Sequence, residues 1–302
     1  RGHRRAELSI PIEARPELLE RLLALSFEED IGTGDLTSLA TVASGLTGSA
    51  SIIAHDTGVV AGMALLEPLL AVLRERGRPE EQAATISVKS VCEDGAALDR
   101  GQLLCRFEGS SCGLLVLERT VLNYLSRLCG IATLTAAFVE RVKAAGSTAR
   151  VLDTRKTLPG HRALDKYAVR CGGGHNHRAG LFDAVLIKEN HVAAAGGIVA
   201  AVAAARTGGA GREVECECED LAELGEALDA GVDAVLLDNF TPDLVGDAVA
   251  LVAGRCRVEV SGGVTLDSIA AFAATGADDI SVGALTHSAP AFDLSMSIET
   301  RP

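Results

Sequence analysis

Short apolar runs and helical stretches alternate through the second half of the chain, from about residue 150 onwards. The runs have the length of buried strands, and stretches between them, such as 221–230 and 266–274, have apolar residues at helical spacing. Parallel strands joined by crossover helices produce this alternation. An open doubly wound sheet and a (β/α) barrel both fit, and because a closed barrel has eight units, six favour an incomplete barrel. The six predicted strands are 150–154, 184–188, 213–217, 234–238, 258–262 and 279–283.

The first 110 residues have a different pattern, in which short apolar runs are interrupted by glycine and aspartate. Such runs are typical of strands joined by tight turns. Two helices are predicted in the same region, over 17–26 and 67–76. Leucines recur at helical spacing between 111 and 146, and Gly130 is predicted to break or bend that helix. The predicted strands of this region are 50–54, 58–62, 85–89 and 102–107.

Charge is unevenly distributed along the chain, whose net charge is −13. The segment 155–191 contains seven Lys or Arg, three Asp or Glu and four of the seven histidines, which gives it a net charge of +4. A basic segment in an acidic protein indicates a local anionic ligand, since nucleic acids and membrane surfaces usually bind a broader basic face. The aromatic residues make up 3% of the chain and leave few platforms for stacking single-stranded bases. We therefore expect no nucleic-acid partner and no membrane partner.

The remaining composition indicates a soluble protein with reduced thiols. The eight cysteines of the 302 residues include no CxxC pair and lie mostly in apolar runs, as in the core of a cytosolic protein. Residues 1–5 are not followed by the apolar segment of a signal peptide, and no apolar run approaches eighteen residues. We expect a cytoplasmic location. The glycine motifs of dinucleotide-binding, P-loop and serine-hydrolase proteins are absent from the sequence.

The predicted strand at 213–219 alternates glutamate with valine or cysteine. Because alternate side chains of a strand face opposite sides, we expect Glu215 and Glu217 to face the barrel interior. Buried carboxylates need cations. The next strand ends at Asp238, and an Asp and a Glu at neighbouring strand ends suit Mg²⁺, which binds one or two carboxylates together with substrate phosphate oxygens. The alternative is a structural ion pair with Arg155, Lys156 or Lys188.

Two glycine clusters follow the last two predicted strands. In barrels, a phosphate often binds at these loops through backbone N–H groups and a helix N-terminus. Glycine allows the backbone to approach the phosphate closely. The paired clusters predict a phosphate site. Its residues are Ser261, Gly262, Gly263, Ser281 and Gly283.

The basic segment carries a resemblance to a known family. The sequence TRKTLPGHRALDKYAVRCGGGHNHR at 154–178, with LIKENH at 186–191, resembles the quinolinate phosphoribosyltransferases. Agreement extends to EDIGTGDLTS at 29–38, ERTVLN at 118–123, LLDN at 236–239 and SGG at 261–263. The resemblance thus covers about residues 20–290.

The resemblance implies a reaction and an architecture. Quinolinate and phosphoribosyl pyrophosphate would react with Mg²⁺ to give nicotinate mononucleotide, CO₂ and pyrophosphate, a step of de novo NAD synthesis. Residues 1–125 would form an N-terminal α/β sandwich domain, and 126–288 an incomplete α/β barrel. The tail 289–302 would pack with the N-terminal domain. Two chains would form a homodimer, or a higher oligomer, in which each active site is completed by the partner.

The resemblance also implies a role for each site residue. Lys156 would lie near the departing pyrophosphate, where a cation stabilises developing charge, and Glu217 and Asp238 near the ribose and the metal ion. The residues expected to bind quinolinate are Arg155, His177, Arg178, Lys188 and, from the other subunit, Arg119. The 5′-phosphate would be bound by Ser261, Gly262, Gly263 and Gly283. The residues expected to be catalytic are Lys156, Lys188, Glu217 and Asp238.

Some residues and functions stay open at this point. His161 and His175 lie beside the motif and are interpreted as tuning its geometry, whereas Cys216 and Cys218 are interpreted as packing against helices. A phosphoribosyltransferase for another pyridine carboxylate is one alternative function. A Schiff-base aldolase with Lys188 as nucleophile is a second, and a non-catalytic protein that binds a phosphorylated metabolite is a third.

Overall fold

The structure is a computed structural model, and it describes residues 16–76 and 86–301. Its helices are α1 (Pro16–Ile31), α2 (Leu36–Thr41), α3 (Leu66–Arg76), α4 (Ser111–Ala144), α5 (Arg162–Cys171), α6 (Glu189–Ala195), α7 (Ile198–Gly208), α8 (Leu221–Asp229), α9 (Pro242–Val252), α10 (Ile269–Ala273) and α11 (Ala284–His287). Its strands are β1 (Thr47–Ala54), β2 (Gly58–Val59), β3 (Ser87–Ser90), β4 (Ala97–Leu98), β5 (Leu103–Ser110), β6 (Arg150–Leu152), β7 (Val185–Ile187), β8 (Val214–Cys218), β9 (Ala234–Asp238), β10 (Arg257–Ser261), β11 (Asp279–Ser281) and β12 (Leu294–Arg301).

These elements form two units. The first contains the chain up to residue 134 together with 158–173 and the residues from 289, and the second contains 135–157 and 174–288. The domain boundary that the sequence suggested at 125/126 falls inside α4. That boundary stays a prediction. Residues 1–5 and the first position of the predicted strand 85–89 lie outside the described residues.

The first unit is built on a four-stranded antiparallel sheet with the order β12-β1-β5-β3, beside a two-stranded pair of β2 and β4. Along β1, Ala50, Ile52 and Ala54 are fully buried. Alternate residues share one face of a strand, so this face packs into the core. The last strand, β12, pairs with β1 over its whole length, from Thr47 opposite Arg301 to Ala54 opposite Leu294.

Two carboxylates, of which Asp165 is fully buried and Asp94 is half-buried, connect elements of the first unit. Asp94 accepts backbone N–H groups from residues 62, 63 and 64 and the hydroxyl of Tyr167 in α5. Asp165, also in α5, is fully buried and accepts two hydrogen bonds from the guanidinium of Arg127, at 2.9 and 2.8 Å. Such paired geometry offsets the cost of burying the charge. The two carboxylates therefore fix α5 in this unit.

Helix α4 runs through Gly130 without a break, so the predicted break is wrong, whereas the alternative of a bend stays a prediction. A side chain at 130 would lie 2.0 Å from the carbonyl oxygen of Pro290. The glycine is needed because another part of the backbone approaches the helix. By length and composition alone, α4 could cross a membrane, as could α6 and α7 taken together. However, 61% of the apolar window of α4 is buried inside the protein, which is typical of a core helix.

The second unit contains all six strands predicted for it, in one parallel sheet. Their order is β6-β11-β10-β9-β8-β7, with helices between consecutive strands, and β6 and β7 form the two edges. At the β6 edge, His175 makes a single parallel bridge to Leu152. Six strands with two edges make an incomplete barrel, as expected. The register places Asp238 of β9 beside Ser261 of β10, so their side chains lie at the same carboxyl edge.

The amino end of this barrel is closed by charged side chains. Asp279 is fully buried and accepts two hydrogen bonds from Arg150, at 2.6 and 2.7 Å. Arg257 lies 3.2 Å from the same carboxylate and 3.1 Å from Glu213. The two guanidinium groups balance the two carboxylates, so a polar cluster occupies this end of the barrel.

Candidate active site

The carboxyl ends of the six parallel strands carry most of the site residues that the sequence suggested. Arg155 and Lys156 follow β6, Lys188 follows β7, and Glu217 and Asp238 lie at the ends of β8 and β9. Ser261 ends β10, with the two glycines after it, and Ser281 and Gly283 lie at the end of β11. Parallel strands bring their carboxyl ends to one rim. The second unit therefore gathers all of these residues at one edge.

Lys188 and Glu217 form an ion pair across neighbouring strands. Glu217 is mostly buried, with 14% of its side chain exposed, whereas Lys188 is 43% exposed. The structural pairing that the sequence left open for Glu217 is thus present. His191 accepts the backbone N–H of Lys188 at 3.0 Å. This bond holds the first turn of α6 and explains the histidine of the KENH motif.

Asp238 is oriented by the residue that follows it. The side-chain amide of Asn239 donates to the Asp238 carboxylate at 2.7 Å, and the backbone N–H of Asn239 donates to Ser261 at 2.9 Å. Asn239 has a φ of 59°, a left-handed conformation that asparagine tolerates better than most residues. A side chain on Gly262 would lie 2.2 Å from the Asn239 amide. Position 262 must therefore be glycine for this arrangement to form.

Acidic groups accumulate at this part of the rim. A cavity of about 170 Å³ is lined by residues that include Glu189, Glu217, Glu219 and Glu223. The carboxylate of Glu189, and then burial, raise the pKa of Glu219, and Asp238 contributes to the same shift. A surplus of neighbouring carboxylates is stabilised by a cation, and oxygen ligands of this type suit Mg²⁺. Glu217 and Asp238 thus fit the ion that the family resemblance implied.

The glycine clusters differ in what surrounds them. Gly263 has a φ of 62°, and a side chain there would meet no atom within 4 Å. Its backbone therefore borders open space, as a phosphate site requires. A side chain on Gly283 would lie 3.2 Å from Lys156 and 3.2 Å from His287. This glycine allows the Lys156 side chain to lie against the end of β11.

Ser281 is arranged differently from its neighbours in the predicted phosphate site. It is 4% exposed, and its hydroxyl donates to Glu259 at 2.5 Å inside the barrel. The hydroxyl is thus engaged with a carboxylate in this structure. A phosphate role for this residue stays a prediction.

Two arginines supply concentrated positive charge. Burial, and then the nearby charge of Arg155, lower the pKa of Arg178. Arg178 is half-buried, and one of its terminal nitrogens donates to the carbonyl of Ala184 at 3.3 Å. Like charges held together destabilise a site until an anion binds. The pair is therefore suited to a carboxylate or phosphate ligand.

His177 is held on two sides of its ring. Its Nδ1 accepts the backbone N–H of Arg178 at 2.7 Å. Its Nε2 lies 3.3 Å from an oxygen of Glu215 and 3.5 Å from an oxygen of Glu259. Its own backbone N–H donates to the buried Asp153 at 3.0 Å. All of these residues are in the second unit.

The neighbouring His175 differs from His177. Burial, and then the charge of Arg150, lower the pKa of its imidazole. The ring is therefore neutral at pH 7. Its backbone N–H donates to Val151 at 2.8 Å and its carbonyl accepts from Asp153 at 3.1 Å. This residue extends the sheet at the β6 edge, which agrees with a role in tuning the motif's geometry.

Two residues from the sequence motifs lie in the first unit. Arg119 is exposed on α4, and none of the strand ends described above belongs to its unit. His161 precedes α5 and stacks on Tyr124, with ring centroids 6.1 Å apart. Sequence reasoning interpreted His161 as a tuning residue, and here its ring packs against the first unit.

Three contributors to the site were missed from the sequence. Glu259 occupies the middle of β10, between two valines, in the alternating pattern that had identified Glu215. The alternation of polar and apolar residues in β10 could therefore have identified Glu259 from the sequence. Asp153 and Asn239 were given no role, because each acts through hydrogen bonds to backbone or to a neighbouring side chain. No local sequence pattern predicts such bonds.

Comparison with known proteins agrees with the motifs. The family model for the "Quinolinate phosphoribosyl transferase, N-terminal domain" matches residues 35–129, and that for the C-terminal domain matches 131–297. This chain belongs to the quinolinate phosphoribosyltransferase family. The boundary between the two family models, like the predicted one, lies within α4.

Family members with high similarity come from several bacteria. A probable nicotinate-nucleotide pyrophosphorylase [carboxylating] of Bacillus subtilis is 41% identical over 281 residues, which cover 93% of each chain. The nicotinate-nucleotide pyrophosphorylase [carboxylating] of Mycobacterium leprae is 41% identical, over 90% of this chain and 94% of its own. The solved structure of the Francisella tularensis nicotinate-nucleotide pyrophosphorylase superposes with a TM-score of 0.86 at 37% identity, covering 94% of this chain and 96% of that one.

Proposed function

We propose that this chain transfers the phosphoribosyl group of phosphoribosyl pyrophosphate to quinolinate, with loss of CO₂, to give nicotinate mononucleotide and pyrophosphate. Full-length similarity to relatives named for this reaction supports the activity. The main structural support is the rim of the second unit. Four cationic side chains lie near the ends of its strands: Arg155, Lys156, Arg178 and Lys188. Both substrates are polyanions, so their binding offsets the repulsion among these cations.

Two groups of residues have distinct tasks in the proposed reaction. Arg155 and Arg178 bind the two carboxylates of quinolinate, since a guanidinium matches a carboxylate with two parallel hydrogen bonds. Lys156 lies beside Gly283, where its ammonium stabilises the charge on departing pyrophosphate. The pyridine nitrogen attacks C1 of the ribose as the C1–O bond to pyrophosphate breaks. The ring then carries a positive charge, its 2-carboxylate leaves as CO₂, and a proton replaces it at C2.

Mg²⁺ is part of the proposal. Glu217 and Asp238 at neighbouring strand ends would hold the ion, and the carboxylate surplus around Glu219 supports a cation there. When bound, Mg²⁺ supplies neutralisation of the pyrophosphate charge. Lys188 pairs with Glu217 in the structure, so this lysine would have to share or release the carboxylate when both substrates are present.

A homodimer in the cytoplasm completes the proposal. Arg119 is exposed on α4 in the unit that lacks the strand ends. A two-fold axis would allow each subunit to contribute this residue to the other. Large apolar side chains are also exposed in both units, Leu36 at 78% and Leu25 at 60% in the first, and Leu181 at 75% and Phe182 at 62% in the second. Such exposure favours association.

The test is incubation of the protein with quinolinate, phosphoribosyl pyrophosphate and Mg²⁺, with nicotinate mononucleotide and CO₂ measured together. We expect one CO₂ for each nucleotide formed. Nicotinate in place of quinolinate is the matched control for a different pyridine substrate, and product from nicotinate alone would contradict the proposal. Borohydride treatment with a phosphosugar tests the aldolase alternative, for which Lys188 would become labelled. We expect no labelling, because the Lys188 ammonium is paired with Glu217.

A further inference from the structure

The interior of the barrel contains a group of three titratable side chains below the rim. Glu215 of β8 is 5% exposed, and Glu259 of β10 is 1% exposed. The Nε2 atom of His177 and one oxygen from each glutamate lie within 4.8 Å of one another. They line a cavity of about 260 Å³ that also reaches Arg178. None of the roles given above uses the two glutamates.

The hydrogen bonds of His177 fix where its proton lies. Because Nδ1 accepts the backbone N–H of Arg178, that nitrogen is unprotonated, and the single ring proton is on Nε2. Nε2 faces both glutamates, at 3.3 and 3.5 Å. One N–H group therefore faces two carboxyl groups. A single donor cannot stabilise both of them as anions.

Two further observations indicate that one of the carboxyl groups is neutral. Oε2 of Glu259 and Oε1 of Glu215 are buried without a hydrogen-bond partner among residues 16–76 and 86–301. A buried charge without a hydrogen bond is strongly unfavourable, whereas a shared proton removes one of the two charges. Burial, and then the charge of Glu215, raise the pKa of Glu259 to about 8. This direction favours Glu259 as the carboxyl that holds the shared proton.

The groups around Glu259 act on its pKa in both directions. On β11, the hydroxyl of Ser281 donates to Oε1 and lowers this pKa, whereas the carboxylate of Asp279 raises it. On β8 the charge of Glu215 raises it, and on the segment after β6 His177 lowers it. The register partner on β9 is the apolar Leu236. On its own strand, Arg257 lies 3.7 Å from Glu215.

We propose that Glu259 is a positioning residue of the diacid site: acting with Glu215 on the imidazole of His177, it fixes the backbone of Arg178 in the orientation that receives a substrate carboxylate. This inference rests on the proposed binding of quinolinate. The contact chain runs from Ser281 through Glu259 and His177 to the N–H of Arg178. In this proposal Glu259 acts on the diacid site through His177.

Loss of the proton has a definite consequence. As the pH rises through about 8, Glu259 ionises beside Glu215, and two anions then face one N–H group. Repulsion separates the two carboxylates, so the neutral imidazole loses its fixed contact at Nε2, and its Nδ1 no longer holds the Arg178 N–H in place. The affinity for quinolinate should therefore fall on the alkaline side, while the affinity for phosphoribosyl pyrophosphate should not.

Two substitutions test the proposal by steady-state kinetics between pH 6 and 9.5. Glu259→Gln keeps the size, stays neutral at every pH and can still accept from Ser281. We expect the wild-type KM for quinolinate at pH 7 and no alkaline rise. Glu259→Leu removes the polar contact, and we expect at least a tenfold higher KM for quinolinate with the KM for phosphoribosyl pyrophosphate within twofold. Glu226→Leu, on the exposed face of α8, is the matched control and should change neither.

A spectroscopic measurement separates this inference from the proposed function. In ¹⁵N-histidine spectra, with His177→Gln used for assignment, His177 should show a protonated Nε2 and an unprotonated Nδ1 at pH 7. Above pH 8 the ¹⁵N chemical shifts of this ring should change in the wild type, because the imidazole loses its fixed contacts, and they should stay constant in Glu259→Gln. Addition of Mg²⁺ or EDTA should leave the protonation pattern at pH 7 unchanged. A response to either would indicate a metal ion in place of the proton and would overturn the inference.

Other results would also overturn it. They are a wild-type KM for quinolinate in Glu259→Leu, parallel increases in both KM values, or an unchanged alkaline rise in Glu259→Gln. If Glu259→Leu fails to fold, the Gln variant still decides through its pH profile. If the wild-type protein has no activity on quinolinate, the proposed function is wrong. The ¹⁵N spectra would still report whether the three residues share a proton.

Discussion

In the proposed function, single side chains at the rim would carry the specificity for a diacid. Arg155 and Arg178 lie close enough for the charge of one to lower the pKa of the other, and binding a dianion removes that repulsion. The sequence predicted these arginines through the family motif and predicted the inward direction of Glu215 and Glu217 through strand alternation. It did not predict that Asn239 orients Asp238 or that Ser281 donates to Glu259. These bonds depend on backbone positions that only the folded strands define.

Arg178→Lys separates the shape of the cation from its charge. The substitution keeps the charge but removes the planar fork that binds a carboxylate with two hydrogen bonds. We expect the affinity for quinolinate to drop at least tenfold, about 1.4 kcal/mol, with little change for phosphoribosyl pyrophosphate. Isothermal titration calorimetry with each substrate measures both. The matched control is Arg206→Lys, in a surface ion pair with Asp233, and equal affinities in all three proteins would show that Arg178 acts as a diffuse charge.

Asp238→Asn tests the proposed metal ligands. The amide keeps the size of the side chain but loses the ionised oxygen that Mg²⁺ prefers. We expect the Mg²⁺ concentration for half-maximal turnover and the KM for phosphoribosyl pyrophosphate to rise about tenfold or more, with quinolinate binding almost unchanged. Asp247→Asn, on an exposed position of α9, is the control. Wild-type Mg²⁺ dependence in Asp238→Asn would remove this residue from the metal site.

At the scale of elements, the predictable features were those set by periodicity. All six strands of the second unit were identified from short, largely apolar segments that alternate with helical stretches, although glutamates interrupt the apolar residues of β8 and β10. Helix α4 was identified from its leucines, but Gly130 was misinterpreted as a break. A glycine that allows another backbone to approach gives the same local signal as a glycine that ends a helix. The carbonyl of Pro290 comes from the other end of the chain, so local sequence could not distinguish them.

Arg127 of α4 should be needed to hold α5. Arg127→Met leaves the fully buried Asp165 carboxylate without this partner, and removing one member of a buried pair costs about 3–5 kcal/mol. We expect a clear decrease in the urea midpoint of the first unit. Arg141→Met, exposed on the same helix, should have no effect. Arg127→Met combined with Asp165→Leu should regain most of the loss, and failure to do so would assign the effect to packing of the arginine stem.

For the whole molecule, the sequence predicted two parts of different architecture but not how the chain is divided between them. Residues 158–173 lie between two barrel strands in sequence, and their contacts are with the first unit. Asp165 and Tyr167 make these contacts through Arg127 and Asp94. Partners separated by 38 and 73 residues produce no local pattern. Periodicity therefore could not predict that α5 belongs to the first unit.

The shared active site can be tested with two inactive variants. Arg119→Ala and Lys188→Ala homodimers should each be nearly inactive, for want of one cation at the diacid. After joint denaturation and refolding, about half of the dimers are mixed if pairing is random, and each mixed dimer has one intact site. Roughly a quarter of wild-type activity should return. If mixed dimers form, as shown by mass spectrometry with one labelled subunit, and no activity returns, Arg119 does not act across the interface.

The pairing of β12 with β1 has a consequence for the order of events during synthesis. Strand β1 is made early, yet one of its two partners occupies residues 294–301. On a ribosome, one edge of β1 stays unpaired until nearly the entire chain, including every strand of the barrel, has been synthesised. An unpaired edge strand is a template for wrong association. The barrel can therefore be complete while the first unit still lacks a strand, and a nascent chain stalled before residue 294 should be the species that depends most on chaperones.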